Sequence, residues 1–172
     1  MRKNHIVPDI YVHSIFSIDM EDLGKRGING VIFDLDNTLI KWGDYVLNDK
    51  LRNHIRRYKE NGFALCIVSN NAGEDIQSLA RDLHIPIVAG AGKPSRKPFT
   101  KALNLMNKNP EETAMVGDQL FTDIVGGNRS GLLTILVAPI SEREFFGTRL
   151  LRFLERKVLL HLQNKGLVDR LG

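Results

Sequence analysis

Val31-Ile32-Phe33-Asp34-Leu35-Asp36-Asn37-Thr38 reads as a buried strand that runs straight into two carboxylates. Strand alternation points the Asp34 and Asp36 side chains to the same side. Like charges crowded in this way cost energy, and a nearby cation offsets that cost. The pair therefore suggests a hard metal ion, an acid/base pair, or both. The bland alternative is a turn or a helix cap, which also favours aspartate.

Working outward, apolar runs at 30–33, 63–69, 85–88, 113–117 and 132–137 alternate with helical patterns at 48–61, 74–83, 96–107 and 122–130. Such alternation predicts β-α-β units and a central parallel sheet, an α/β fold. Parallel sheets bind ligands beyond the carboxyl ends of their strands. Asp34, Ser69 and Asp118 each fall just after a strand-like run, so the pattern brings them to one site. No internal repeat or low-complexity linker interrupts the chain, and residues 1–172 read as a single domain with its core at about 28–137.

The bulk properties agree with this picture. A chain of 172 residues with 42% apolar and 26% charged residues suits one soluble core. The net charge of +4 is compatible with anionic substrates or surfaces. The lone cysteine, Cys66, cannot form an intrachain disulfide and sits in an apolar run, as core packing would have it. No apolar run approaches the ~20 residues needed to span a bilayer, and no apolar signal core follows Met1, so the expected location is cytoplasmic. His13, His54, His84 and His161 show no metal-type spacing and read as surface or satisfied core residues.

Near the C-terminus, Phe146, Leu150, Leu154, Val158 and Leu162 recur at helical spacing, with Arg149, Arg152 and Arg156 on roughly the opposite face. This predicts a basic amphipathic helix at about 143–163. Either it packs on the sheet or it rests on the inner face of an anionic membrane.

The stretch Asp34-Leu35-Asp36-Asn37-Thr38-Leu39 resembles the first motif, DxDx[TV], of the haloacid dehalogenase (HAD) superfamily of phosphohydrolases. The remaining parts follow in order. Val68-Ser69-Asn70-Asn71 resembles the second motif, Lys93-Pro94 the third, and Gly117-Asp118 with Asp123 the fourth, GDxxxxD. Lys97-Pro98 repeats the third-motif dipeptide, but the spacing of Lys93 to Asp118 matches the family better. Gly90-Ala91-Gly92-Lys93 hints at a phosphate loop, which Pro94 in the Ser/Thr position and the missing upstream glycine argue against.

The resemblance implies a HAD-like Rossmannoid three-layer fold and a phosphatase working through an aspartyl-phosphate. It makes Asp34 the nucleophile, Asp36 the general acid and base, and Lys93 the cation that offsets charge. Thr38, Ser69 and Asn70 would bind substrate or hold its loops. Mg²⁺ would be held by Asp34, Asp118 and the backbone carbonyl of Asp36, with Asp123 binding through water or orienting its neighbours.

Only about one helix and its loops separate Asp34 from Ser69, and Ser69 from Lys93. Neither gap holds a large cap domain. Residues 41–49 could form at most a small flap, with Trp42 and Tyr45 as candidate substrate contacts. An open site suits large substrates.

Gly117 to Asp123, followed by Gly126-Gly127-Asn128-Arg129 and preceded far upstream by Pro8-Asp9 and Tyr11-Val12, resembles the YqeG-type branch of HAD subfamily IIIA. That branch is similar to the phosphatidylglycerophosphate phosphatases of mitochondria and plastids. The implied reaction removes the terminal phosphate of phosphatidylglycerophosphate, with a membrane lipid as substrate and peripheral contact with an anionic membrane. Two alternatives stand beside it: a soluble phosphatase for nucleotides or sugar phosphates, and a non-catalytic HAD-fold binding or ribosome-associated protein. No nucleic-acid partner is expected, since basic and aromatic residues do not interleave.

Overall fold

The computed structural model describes residues 5–141 and 149–168. Its strands are β1 (Ile10–Val12), β2 (Gly30–Phe33), β3 (Ala64–Val68), β4 (Ile87–Val88), β5 (Thr113–Gly117) and β6 (Leu133–Val137). They form one sheet in the order β1-β6-β5-β2-β3-β4, and every pairing is parallel. From β2 the chain first builds outward through β3 and β4. It then returns to lay β5 on the other side of β2. The crevice where this reversal occurs is the natural ligand site of such a sheet.

The helices are α1 (Met20–Lys25), α2 (Asp49–Glu60), α3 (Glu74–Leu83), α4 (Lys97–Met106), α5 (Val125–Arg129) and α6 (Arg149–Asn164). Strand alternation sorts the core into layers. Val31, Phe33, Leu65, Ile67, Ala114 and Val116 join Leu51, Ile55 and Tyr58 of α2 and Ile76 and Leu79 of α3. Ile32, Cys66, Val68 and Met115 face the other way, against Phe99, Ala102, Leu103 and Met106 of α4. Strands covered on both faces must be apolar throughout, and every residue of β2 and β5 is buried. α2 begins where the Asn48 side chain accepts from Leu51 N–H at 2.8 Å. His54 is a satisfied core residue, its Nε2 lying 3.0 Å from the Ile15 carbonyl oxygen. Among the described residues, no helix is long and apolar enough to cross a membrane.

The chain segments between the motifs carry α2 on one side and α3 with β4 on the other, so no large cap stands over the strand ends. β1 is an addition to the sequence reading. It is three residues long, sits at the sheet edge and pairs Ile10 with Ile135. Its shortness gives it no recognisable alternation.

The helix expected at 122–130 is in fact broken. A π-helical turn at Leu120–Ile124 precedes α5. π-turns insert an extra residue and gather at functional sites, and this one carries Asp123.

The expected C-terminal helix is present as Arg149–Asn164, but its orientation differs from the reading. Leu162 is buried and Val158 half-buried, whereas Leu154 is exposed and Arg152 is turned inward. Polar contacts of Arg152 and Glu155, described below, set this rotation. Phe146 lies outside the described residues.

Candidate functional site

Asp34 leaves the end of β2 with its backbone N–H donating to the Val116 carbonyl at 2.8 Å, so its position follows from the β2–β5 pairing. The chain then folds into a tight loop. Leu39 N–H reaches the Leu35 carbonyl at 2.9 Å, and Asn37 adopts a positive φ of 62°. Asparagine tolerates this left-handed conformation better than most side chains. The loop delivers Thr38, whose hydroxyl donates to Asp118 Oδ1 at 3.0 Å. Thr38 thus ties the first and fourth motifs together, a positioning contact beside the expected substrate role.

Lys93 enters from the loop before α4. Its Nζ donates to Asp34 Oδ1 at 2.5 Å, to Asp123 Oδ1 at 2.7 Å and to the Val68 carbonyl at 2.9 Å. Those three acceptors match the three ammonium protons. The Lys93 side chain is 2% exposed. Lys97, the other candidate, begins α4 on the solvent side. Asn70 clamps the Lys93 backbone, its Oδ1 accepting from Lys93 N–H at 2.8 Å. Ser69 is buried at the end of β3, with its Oγ accepting from Asn71 N–H at 3.1 Å.

Asp118 follows β5, and Asp123 is folded back by the π-turn so that its Oδ2 accepts from Gln119 N–H at 3.1 Å. Gly117 makes this possible, because a Cβ there would collide with the Asp123 carboxylate. Asp36 lies on the outer side. Tyr45 and Asn71 hydrogen-bond its carboxylate and each other, Asn71 Nδ2 donating to the Tyr45 hydroxyl at 2.8 Å. Among the described residues, Asp36 Oδ1 is buried without a hydrogen-bond partner. Trp42 is 40% exposed.

Sequence reasoning missed two contributors. Arg152 of α6 donates to the Asp118 carbonyl at 2.7 Å and pairs with Asp118 Oδ2. Glu155, one turn on, accepts from Phe121 N–H at 2.9 Å and from Arg152 at 3.3 Å. Helical periodicity sorts residues onto faces but cannot say which face meets a site 34 positions earlier. Asn71 had been read only as part of the second motif.

Burial governs the electrostatics. It pushes Asp34 up to about 6, against the downward pull of Lys93. Asp118 and Asp123 are raised by the same cause, opposed by Arg152 and Lys93 respectively. Burial would lower Lys93, but Asp123 and Asp34 outweigh it and hold the amine above the ordinary lysine value. Lys93 is therefore a permanent cation at neutral pH.

The donor set fits a hard divalent ion. Asp34, Asp118 and Asp123 place carboxylate oxygens within 4.8 Å of one another. With Asp36 these carboxylates outnumber their cationic partners, Lys93 and Arg152. Oxygen-only ligands with surplus negative charge suit Mg²⁺.

A pH effect follows for the protein without a divalent ion. These aspartates have folded-state values above their unfolded ones, so protonation favours the native state. The stabilisation is complete below about pH 4 and is lost as pH rises through about 6. Melting in a chelating buffer should rise by roughly 5 °C between pH 7 and pH 5, and adding Mg²⁺ at pH 7 should recover a comparable shift. A melting temperature that is flat with pH and indifferent to Mg²⁺ would contradict the charge imbalance.

Comparison with known proteins follows the same lines. Residues 1–141 match the sequence model of the family described as mitochondrial PGP phosphatase. The chain is 40% identical over 166 residues to "Probable phosphatase YqeG" of Bacillus subtilis (strain 168), covering 96% of each chain. It is 34% identical over 182 residues to "Phosphatidylglycerophosphate phosphatase 1, chloroplastic/mitochondrial" of Arabidopsis thaliana, covering 96% of this chain and half the length of that protein. Among solved structures, NagD from Escherichia coli K-12 superposes with a TM-score of 0.56 at 17% identity, over 67% of this chain and 90% of that one. An uncharacterized protein from Listeria monocytogenes serotype 4b superposes with a TM-score of 0.54 at 24% identity, over 77% and 98%. These two likenesses concern the fold alone.

Proposed function

The chain belongs to the mitochondrial PGP phosphatase family and is a phosphoric monoester hydrolase of HAD type; from that premise we propose that it hydrolyses the terminal monoester of phosphatidylglycerophosphate through an aspartyl-phosphate. The observation that carries the chemistry is the buried Asp34–Lys93 pair with the unpartnered Asp36 oxygen beside it.

Asp34 Oδ1 is held by Lys93, which leaves the second oxygen to attack phosphorus. As the Asp34 oxygen–phosphorus bond forms, the bond from phosphorus to the leaving oxygen breaks. Asp36 gives that oxygen a proton, and burial shifts its pKa upward, in the direction a general acid needs. Asp36 then takes a proton from water, which attacks the same phosphorus and frees Asp34 and inorganic phosphate. Lys93, steered by Asp123, offsets charge on the transferring group, and Ser69 with the Asn70 backbone binds its oxygens. Mg²⁺ held by Asp34, Asp118 and the Asp36 carbonyl would supply further neutralisation of the phosphoryl oxygens.

Mg²⁺-dependent phosphate release tests this reading, with phosphatidylglycerophosphate in mixed micelles set beside nucleotide and sugar phosphates. A strong lipid preference, abolished by chelation and restored by Mg²⁺, is the expected result. Equal or better turnover of soluble esters would favour the soluble-phosphatase reading. Silence on every substrate would favour a binding protein.

The exposed side of α6 supports peripheral membrane contact. Phe153 and Leu160 are 54% and 58% exposed, and Lys157 Nζ stacks over the Phe153 ring at 4.4 Å. A face mixing exposed apolar and basic side chains suits an anionic bilayer. Phe153→Ser combined with Lys157→Glu should cut sedimentation with anionic vesicles several-fold, and unchanged binding would remove α6 from the membrane face.

A further inference from the structure

A cavity of about 430 Å³ lies between α6 and the β1–β6 edge of the sheet. Its volume falls in the range of ligand pockets. It touches the reaction centre through Asp118, and its charged lining is completed by Arg152, Arg156 and Glu155, the last paired with Arg152. The rest of the wall is largely apolar, with Tyr11 and Leu136 from the sheet, Pro139 beyond β6, and Leu159 from α6. The family match ends at residue 141, so the helix that roofs this cavity lies beyond the matched segment. Yet α6 is fastened to the site by the contacts of Arg152 with Asp118 and of Glu155 with Phe121 N–H.

The charged and the apolar lining residues ask for different chemistry. Guanidinium groups one helical turn apart suit an anionic diester, because phosphate geometry matches the arginine fork. Apolar walls favour hydrocarbon, which water releases readily. A small sugar or nucleotide ester offers no acyl hydrocarbon to those walls.

We propose that this cavity is the subsite for the non-reacting part of a phospholipid substrate: Arg152 and Arg156 face its internal phosphodiester, and the Tyr11–Leu136–Pro139–Leu159 wall takes the first acyl carbons. The inference rests on the lipid-phosphatase reading and adds where the remainder of that lipid lies. Arg152 is then the bridge between subsite and reaction centre, since it also holds Asp118. Binding energy from this remote part would draw the monoester toward Asp34.

The test compares three water-soluble substrates, so that membrane docking plays no part: phosphatidylglycerophosphate with hexanoyl chains below its micellar concentration, its fully deacylated form, and glycerol 3-phosphate. Leu159→Trp narrows the cavity at its apolar wall. It should lower the ratio of kcat/KM for the acylated substrate over the deacylated one by roughly tenfold, mainly through KM. Arg156→Gln, at an exposed position, should lower the ratio of deacylated diester over glycerol 3-phosphate by a similar factor. Ratios unchanged in both variants would overturn the subsite while the lipid reading stands. Wild-type enzyme that handles glycerol 3-phosphate as well as the acylated substrate would overturn the lipid reading, and the subsite with it.

Discussion

Asp34→Asn should cut phosphate release by on the order of 10⁴-fold or more, because no other group can form the covalent intermediate proposed for it. The fold should survive the change. An asparagine oxygen can still accept from Lys93, and the substitution removes a carboxylate that burial already penalises. Without a divalent ion at pH 7, the variant should melt no lower than the wild type. Phosphate release assayed beside thermal melting separates the outcomes. Retained turnover with an intact fold would sink the nucleophile assignment, and a collapsed melting transition would mean that Asp34 acts in folding instead.

Lys93→Met should damage both activity and stability. Turnover should fall by at least about 10²–10³-fold, the scale for removing a preorganised charge from a phosphoryl or oxyanion site. The native state should lose roughly 3–5 kcal/mol at pH 7, because Asp34 and Asp123 are left buried without their shared cation. The sign with pH is clear. As those carboxylates take up protons toward pH 5, the stability deficit should shrink, whereas the catalytic defect should persist. Lys97→Met should leave both quantities within error of the wild type, since Lys97 is exposed at the start of α4. A variant at Lys97 with the larger defect would reverse the assignment of the motif lysine.

The contrast between those two lysines shows what could be read in advance. Both precede proline, and spacing to Asp118 favoured Lys93, which does reach the carboxylates. Asp34, Ser69 and Asp118 were legible because strands buried on both faces read as unbroken apolar runs, and the polar residue ending such a run marks the sheet's carboxyl edge. β1 was not legible, as three half-buried residues between Pro8-Asp9 and His13-Ser14 leave no pattern to detect. Nor was the break at Leu120–Ile124, where the demand of Asp123 for Gln119 N–H and Lys93 overrides a helical pattern. Arg152 read as a solvated basic residue because its reason for turning inward, the Asp118 carboxylate, lies on another element. Local pattern carries the scaffold, and contacts between distant elements complete the site.

The edge pairing of β1 with β6 has a temporal side. Asp9 bonds Thr134 through backbone and side chain across 125 positions. β1 therefore waits until the rest of the sheet has been synthesised before its neighbour exists. Loop closure over such a span is slow relative to the local β2–β3 pairing. The nascent chain can assemble the Asp34 strand and its neighbours first, and only the late return of β6 recruits Tyr11 and raises the cavity wall. An edge strand of three residues also peels away again readily. Peeling there would disturb the cavity while leaving the carboxylates at the centre of the sheet in place.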